Sequence, residues 1–223
     1  MSSPPVKVTE GYIPFVCEEK TYQTYYKVFG DLENRTRTPV VGVHGGPGLV
    51  HDYLVVLADL ARDAAFPVIL YDQLGNGRSS RVPAAGAGFW SVALFVDELE
   101  NLLGALGARG AFHLVGHSWG GMLGADFAAT RRPPGLRRLV VCDAPAAHAL
   151  WLRSFGALLQ GFPEWVRHAV ARGFEDGAAP LWRALQEVYA VHGCRAKPFP
   201  PELERTLLHV YGEGADRTVQ KQE

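Results

Sequence analysis

The chain has 223 residues, a length that fits one domain built around a single core. Apolar residues make up 48% of it and charged residues 20%, a composition typical of a soluble globular protein. The formal net charge of −1 provides no field that would gather nucleic acid or an anionic membrane surface, so neither is expected as a partner.

Targeting signals and cysteine usage set further expectations. The first residues have neither the basic start nor the apolar segment of a signal peptide, and no run approaches the roughly 18 apolar residues of a membrane span. We therefore expect a cytoplasmic protein. The three cysteines, Cys17, Cys142 and Cys194, are odd in number and far apart, which argues against a disulfide framework and against a zinc site. No metal is expected.

Strand and helix patterns alternate in the first part of the chain. Aromatic and β-branched residues at 12–17 and 22–29 predict an antiparallel hairpin at the edge of a sheet. Unbroken apolar runs predict parallel strands buried on both faces, and apolar residues that recur every three or four positions predict helices. The predicted strands are residues 40–43, 68–71, 112–115 and 139–141, and the predicted helices are residues 54–62, 92–106 and 121–130.

The alternation continues to about residue 145, which predicts a doubly wound α/β domain with a mostly parallel sheet. Beyond residue 147 the apolar residues keep helical spacing and few strand signals remain. We therefore divide the chain into an α/β core over residues 1–147, a helical insertion over residues 148–211 and a polar tail over residues 212–223. The tail is predicted to be disordered.

Residues 116–120 form a G-x-S-x-G pentapeptide between a predicted strand and a predicted helix, with Ser118 at its centre. In this context the motif builds a tight turn that exposes the serine hydroxyl to a base and leaves no room for flanking side chains. We therefore predict that Ser118 is the nucleophile of an acyl-transfer reaction. The alternative is a glycine-rich strand-to-helix turn with an incidental serine.

A second glycine-rich segment, residues 44–48, directly follows the strand at residues 40–43. Acyl transfer requires N–H donors for the oxyanion of the tetrahedral intermediate. We predict that the backbone N–H groups of Gly46, Gly45 and Trp119 supply them. A phosphate-binding loop is the alternative, but the segment lacks the lysine of a Walker loop and the spacing of a dinucleotide site.

Two polar residues that follow predicted strands are expected to brace the loops they begin. His44 precedes the nucleophile, whereas in hydrolases with this elbow the catalytic histidine follows the serine and the acid, so bracing is favoured over a general-base role. Asp72 lies in a third glycine-containing segment, residues 71–80. A ribose-binding acid is the alternative for Asp72, but the glycine pattern that would precede it is absent.

In their order and spacing, these three segments resemble the proline iminopeptidase family of α/β-hydrolases. The HGGPG loop of that family corresponds to residues 44–48, its DQxGxGxS turn to residues 72–79 and its GxSWGG elbow to residues 116–121. Residues 72–75 are similar to the members that also act as general L-amino-acid amidases. The resemblance extends from about residue 12 into the helical insertion.

The resemblance implies a serine aminopeptidase of the α/β-hydrolase fold that acts on short peptides or amino-acid amides. Such an enzyme releases an N-terminal proline or another residue through an acyl-enzyme on Ser118, without a metal or organic cofactor. The resemblance also implies that the helical insertion is a cap over the site, with acidic residues that hold the substrate's α-amino group. The available acids are Glu164, Glu175, Asp176, Glu187, Glu202 and Glu204. Glu187 is preferred because it lies on the apolar-faced stretch 181–189, and a solvated charge on a helix face is the alternative for each acid.

The chain departs from the family pattern after the cap. In the family the acid and histidine of the triad follow the cap, whereas residues 212–223 are polar and carry no strand signal. Asp143, at the end of a predicted strand, and His192 are candidate replacements, the alternatives being a turn residue and the continuation of a helix. We therefore expect a C-terminally truncated member that lacks the last strands and has little or no peptidase turnover.

Two other functions stay open at this stage. An esterase or amidase could act on a non-peptide acyl substrate, since the fold and the elbow do not fix the substrate. A non-catalytic remnant that binds a ligand or partner is the second.

Overall fold

The computed structural model describes residues 6–86, 88–212, 215, 218 and 219. A six-stranded sheet lies at its centre. The strands are β1 (Val8–Cys17), β2 (Lys20–Phe29), β3 (Val40–Val43), β4 (Val68–Tyr71), β5 (Phe112–His117) and β6 (Leu136–Cys142). Their order across the sheet is β1-β2-β4-β3-β5-β6; β1, β2 and β4 pair antiparallel, and β4, β3, β5 and β6 pair parallel. A mostly parallel sheet with an N-terminal hairpin at its edge confirms the predicted fold class.

The sheet is buried most completely at its centre. Every residue of β3 and β4 is buried, as their unbroken apolar runs predict. Strand β5 instead alternates between buried and half-buried residues, so the expectation that both of its faces are buried is wrong. The reason is its position next to the edge strand β6, where Val140 and Val141 are 47% and 48% exposed.

Helices pack on this sheet at the predicted positions, with one difference in type. A 3₁₀ helix, His51–Ala58, leads into α1 (Asp59–Ala64), where the sequence predicts one continuous helix. Helix α2 (Val92–Ala105) begins at the predicted cap, since Ser91 Oγ accepts a hydrogen bond from the N–H of Leu94 at 3.2 Å. Helix α3 (Trp119–Thr130) begins directly after Ser118.

The order of the strands places the predicted motifs together. From β3 the chain crosses to β4 on one side and then to β5 on the other side. In open parallel sheets, such a switch point leaves a crevice outside the carboxyl ends of the strands. Residues 44–48, 72–79 and 116–121 all lie at or just beyond those ends, so the topology brings the three segments to one edge of the sheet.

The described residues group into two compact units, one formed by those up to Ala144 together with Thr218 and Val219, and one formed by those from Pro145 to Ala215. The second unit is helical. It contains α4 (His148–Leu159), α5 (Glu164–Arg172), α6 (Ala178–Val188), a π-helical turn at Tyr189–Gly193 and α7 (Pro201–Tyr211). Val166, Ala184 and Val188 form a buried cluster between α5 and α6. Across the described ranges, no helix is both long enough and apolar enough to cross a membrane. That this unit acts as a cap stays a prediction.

One residue near the C-terminus belongs to the core of the first unit. Within the predicted polar tail, Gly212, Ala215, Thr218 and Val219 are described, and the predicted disorder of the other tail residues lies outside the described part. Val219 is 3% exposed and packs in the main apolar cluster. It adjoins Gly75, because a Cβ atom built on that glycine would lie 2.5 Å from Val219 Cγ2.

Truncating this side chain tests its place in the core. We expect Val219→Ala to lower the free energy of unfolding by about 1–2 kcal/mol, since two buried carbon atoms at about 0.8 kcal/mol each are lost. The matched control is Val16→Ala, because Val16 is 66% exposed on β1. Urea unfolding measures both variants, and equal stabilities would show that Val219 is not buried.

A buried carboxylate on α2 supports the turn after β4. Glu98 is fully buried and forms no salt bridge with any described residue. Its carboxylate accepts hydrogen bonds from Thr24 Oγ1 at 2.6 Å and from the N–H of Leu74, which lies 3.0 Å from each oxygen. Burial raises the pKa of Glu98 to about 7, and the hydrogen bonds from Leu74 and Thr24 offset only part of that effect.

This carboxylate should make stability depend on pH. Because the folded state keeps the Glu98 proton up to about pH 7 and the unfolded state releases it near 4.5, the folded state binds more protons in that window. The free energy of unfolding therefore falls as pH rises from about 4.5 to 7, by roughly 3 kcal/mol in total. Glu98→Gln should remove this slope, whereas Glu100→Gln, on the half-exposed side of α2, should retain it. Identical slopes for the wild type and Glu98→Gln, from urea unfolding at several pH values, would contradict the assignment.

Candidate active site

Ser118 occupies the turn between β5 and α3 in a strained backbone conformation. Its φ of 53° and ψ of −122° fall outside the favoured regions for a residue with a side chain. The surrounding contacts hold this geometry. The N–H of Ser118 donates to the carbonyl of Cys142 on β6 at 2.8 Å, and its carbonyl accepts the N–H of Gly121 at 2.9 Å. This is the strand-elbow-helix geometry that the pentapeptide predicts, and the role of Ser118 as nucleophile remains a prediction.

The elbow is packed tightly against the end of β3. A Cβ atom added to Gly120 would overlap the carbonyl oxygen of Val43 and lie 2.7 Å from the carbonyl oxygen of His44. Only glycine therefore fits at this position of the motif. The close approach sets the first turn of α3 beside the loop after β3, which explains why the second glycine of the motif is required here.

The loop after β3 lies directly beside the serine. A Cβ atom built on Gly45 would lie 3.1 Å from Ser118 Cβ. The next residue, Gly46, is exposed and has a φ of +121°, a value that favours glycine. Among the described residues, the backbone N–H groups of Gly46 and Trp119 have no hydrogen-bond partner. Trp119 is also the first residue of α3, where the helix dipole favours negative charge.

One predicted oxyanion donor is engaged elsewhere. The N–H of Gly45 donates to the hydroxyl of Tyr53 at 2.8 Å. Since a backbone amide carries one proton, this N–H is not available to an oxyanion in the observed conformation. The prediction that Gly45 is a donor is therefore corrected: its N–H anchors the loop, and Gly46 and Trp119 remain as donors.

His44 is fully buried and bonded on both ring nitrogens. Its Nε2 accepts the backbone N–H of Gln73 at 3.0 Å, which places the ring proton on Nδ1, and Nδ1 lies 2.9 Å from the carbonyl of Gly45. The side chain of Gln73 continues the network, because its Nε2 donates to the His44 carbonyl at 2.9 Å and its Oε1 accepts the indole N–H of Trp119 at 3.0 Å. These contacts favour loop bracing by His44 and leave its ring no lone pair for a general-base role.

Asp72 is buried at the start of the turn after β4. Its Oδ1 accepts hydrogen bonds from the backbone N–H and from Nδ1 of His51, at 2.9 and 2.8 Å, and its Oδ2 accepts the N–H of Arg78 at 2.9 Å. Burial alone would raise the pKa of Asp72, but the hydrogen bond and charge of His51 outweigh it with help from the N–H of Arg78, so the pKa lies below its usual value. The contacts tie the turn to the 3₁₀ helix, which supports the predicted bracing role.

His51 and Asp72 pair as a histidine and an acid, but neither is hydrogen-bonded to the serine. His51 Nδ1 lies 2.8 Å from Asp72 Oδ1, and within the described residues no hydrogen bond links either side chain to Ser118. Asp72 follows β4 and Ser118 follows β5, and β3 runs between those two strands. The observed contacts of the pair therefore favour bracing of the turn.

Residues that sequence reasoning did not single out complete the network. Tyr53 and His51 lie in the 3₁₀ helix, and no sequence pattern marks them as partners of Gly45 and Asp72. Gln73 is part of the DQxGxGxS segment, so the motif itself is the signal that points to it. The hydroxyl of Ser118 has no hydrogen-bond partner among the residues that the structure describes.

The two candidate triad residues, Asp143 and His192, lie in different units. Asp143 directly follows Cys142, whose carbonyl holds the N–H of Ser118, and its φ of 49° is left-handed. Its charge acts on His117, where it opposes the lowering of the pKa by burial. His192 lies in the π-helical turn of the second unit and packs edge-on against Phe162. Their catalytic roles stay predictions.

The candidate acids of the helical unit differ in their surroundings. Glu187 lies on the exposed side of α6, opposite the buried Leu185 and Val188, and has no ion pair within the described residues. Three acids are paired with arginine: Glu175 and Asp176 with Arg172, and Glu202 with Arg205. Glu164 and Asp176 line a cleft of about 730 Å³ between α5 and α6. No group of three or more potential metal ligands occurs in the described part of the chain.

Comparisons with known proteins agree with this architecture. The α/β hydrolase fold family matches residues 38–210. The proline iminopeptidase of Levilactobacillus brevis is 38% identical over 186 residues, which cover 82% of this chain and 60% of the relative. That of Clostridium botulinum is 33% identical over 172 residues, covering 77% of this chain and 56% of the relative. The chain thus spans less than two thirds of the length of these curated relatives.

Solved structures give the same result. The crystal structure of proline iminopeptidase from Mycobacterium smegmatis superposes with a TM-score of 0.77 and 35% identity, over 95% of this chain and 69% of that chain. The crystal structure of VinJ superposes with a TM-score of 0.83 and 43% identity over the same shares of the two chains. The family match, the identity to curated relatives and the elbow geometry together show that the chain belongs to the proline iminopeptidase family of α/β-hydrolases.

Proposed function

We propose that Ser118 is the nucleophile of an acyl-transfer hydrolase of the aminopeptidase type. The observation that carries the proposal is that the N–H groups of Gly46 and Trp119, on the two loops that flank the strained Ser118, have no hydrogen-bond partner among the described residues. The substrate class follows from relatives that are named proline iminopeptidases. We propose a short peptide or amino-acid amide with a free N-terminal proline or other residue.

The reaction would proceed in two steps. The hydroxyl oxygen of Ser118 attacks the carbonyl carbon of the scissile bond, and its proton passes to a base while the carbonyl oxygen becomes negatively charged. The N–H groups of Gly46 and Trp119 stabilise that charge, the amine leaves with a proton, and the acyl group remains on Ser118. Water then hydrolyses this ester and frees the serine.

Acylation by an activated ester tests the nucleophile directly. No described side chain accepts the Ser118 proton, so we expect p-nitrophenyl acetate to acylate this serine slowly. The rate should exceed the rate in water by roughly 10³–10⁴-fold, which is the acceleration that an oxyanion hole and substrate binding provide without a general base. Mass spectrometry of a peptic digest should locate the acetyl group on Ser118, and Ser118→Ala should abolish it. Ser154→Ala is the control, because Ser154 is exposed on α4.

Proline and alanine anilides extend the test to peptide-like bonds. The protein should hydrolyse these anilides no more than roughly 10³–10⁴-fold faster than water does. Rapid turnover that both Ser118→Ala and His192→Ala abolish would contradict that expectation and identify His192 as the base. Absence of any acetyl group on Ser118 would overturn the nucleophile assignment and favour a non-catalytic ligand-binding protein.

A free α-amino group should matter for substrate binding. We propose that Glu187 pairs with the substrate ammonium, since it is acidic, exposed and without an ion pair among the described residues. We expect prolinamide to bind more tightly than N-acetylprolinamide by up to about fivefold, the contribution of an exposed ion pair. Titration calorimetry measures both, and Glu187→Gln should remove the preference.

The matched control is Glu175→Gln, which removes an exposed acid already paired with Arg172. A preference that survives Glu187→Gln would shift the role to another acid, with Glu164 as the next candidate because it lines the cleft between α5 and α6. Equal binding of the two compounds by the wild type would remove the aminopeptidase proposal. An esterase or amidase acting on a non-peptide acyl substrate would then remain.

A further inference from the structure

The hydroxyl of Tyr53 connects the loop after β3 to the nucleophile elbow. Tyr53 lies in the 3₁₀ helix and is half-buried. Its hydroxyl oxygen is 2.8 Å from the backbone nitrogen of Gly45 and 2.8 Å from Nδ1 of His117, the residue before the nucleophile. The rings of Tyr53 and His117 also pack edge-to-face, with centroids 5.2 Å apart. One side chain thus contacts both loops that flank Ser118.

The chemistry of the three groups fixes the direction of the Gly45 bond, and the proposal assigns the direction of the His117 bond. A backbone N–H only donates, so the hydroxyl accepts from Gly45 with a lone pair and can turn its own proton to His117 Nδ1. The ring of His117 must then carry its proton on Nε2. Burial lowers the pKa of His117, while the charge of Asp143 opposes that shift, and the neutral ring is the form that accepts from Tyr53.

These bonds hold the peptide group between His44 and Gly45 at both ends. Its N–H donates to Tyr53, and its carbonyl accepts from Nε2 of Gln73 at 2.9 Å. The following peptide is held through the carbonyl of Gly45, which lies 2.9 Å from His44 Nδ1 and accepts the N–H of Leu49 at 3.3 Å. In a trans peptide the N–H points opposite to the carbonyl, so these contacts also direct the N–H of Gly46.

We propose that Tyr53 is a positioning residue that fixes the Gly45–Gly46 backbone relative to Ser118 by bridging the Gly45 N–H to the His117 ring. The proposal rests on the proposed function, in which the N–H of Gly46 stabilises an oxyanion. Without the phenol oxygen, the buried N–H of Gly45 loses its acceptor and the peptide is free to rotate. The donor at Gly46 then loses its fixed direction, and the benefit of a preorganised site is reduced.

The test compares Tyr53→Phe with Tyr12→Phe, since Tyr12 is exposed on β1. We expect Tyr53→Phe to slow acylation of Ser118 by p-nitrophenyl acetate about tenfold, the typical effect of leaving one buried donor unpaired. The dissociation constant of the ester should not change, because the bond acts on the developing oxyanion. Tyr12→Phe should match the wild type in both quantities.

Two NMR measurements report on the loop without any reaction. In the wild type, ¹⁵N shifts of neutral His117 should show the proton on Nε2, and in Tyr53→Phe this preference should weaken. Hydrogen exchange of the Gly45 amide should become at least tenfold faster in Tyr53→Phe. A wild-type His117 with its proton on Nδ1 would overturn the proposal, even if the Tyr53→Phe variant failed to fold.

The outcomes separate this proposal from the proposed function. If the wild type acylates and Tyr53→Phe acylates equally fast, Tyr53 does not position the donor, although the function stands. If the wild type is not acylated at Ser118, the proposed function fails. Two readouts then decide whether Tyr53 holds the loop: the hydrogen-exchange rate of the Gly45 amide and the tautomer of His117. If neither changes in Tyr53→Phe, the positioning role of Tyr53 is overturned as well.

Discussion

The side-chain amide of Gln73 joins the three loops on which the candidate site depends. Its Nε2 donates to the carbonyl of His44 after β3, its Oε1 accepts the indole N–H of Trp119 after β5, and its own backbone follows β4. Because Gln73 is fully buried, these hydrogen bonds form away from competing water. An amide with both a donor and an acceptor is required, since the two partners present opposite groups. Gln73 thus links the loops that carry Gly46 and Trp119.

Two buried carboxylates, Asp72 and Glu98, support the same turn, and their pKa values are shifted in opposite directions. Asp72 stays ionised because His51 donates to it and Arg78 adds a backbone N–H, so its pKa lies below the usual value. Glu98 has no cation among the described residues, and burial raises its pKa to about 7. The turn that carries Gln73 therefore lies between a permanent charge and a group that titrates near neutrality. Burying a carboxylate without a cation costs free energy, and the hydrogen bond that Glu98 accepts from the N–H of Leu74 offsets part of that cost.

The sequence predicted the parts of the site that depend on local patterns. Apolar runs located β3 and β4, the three- and four-residue period located α2 with its cap at Ser91, and the glycines of the pentapeptide located the elbow. Such features are determined by residues close in the chain. Contacts between distant segments were not predictable in this way. The bond from Gly45 to Tyr53 depends on how the 3₁₀ helix docks, and this bond corrected the role of Gly45 as an oxyanion donor.

The proposed function requires two backbone N–H groups to face a reactive Ser118, and a crystal structure of the protein after reaction with a phosphonate ester tests this most directly. The phosphonyl group on Ser118 is a stable mimic of the tetrahedral intermediate. We expect one phosphonyl oxygen to lie about 2.7–3.1 Å from the backbone nitrogens of both Gly46 and Trp119. A phosphonyl oxygen directed away from these two nitrogens, or a phosphonate attached to a residue other than Ser118, would contradict it.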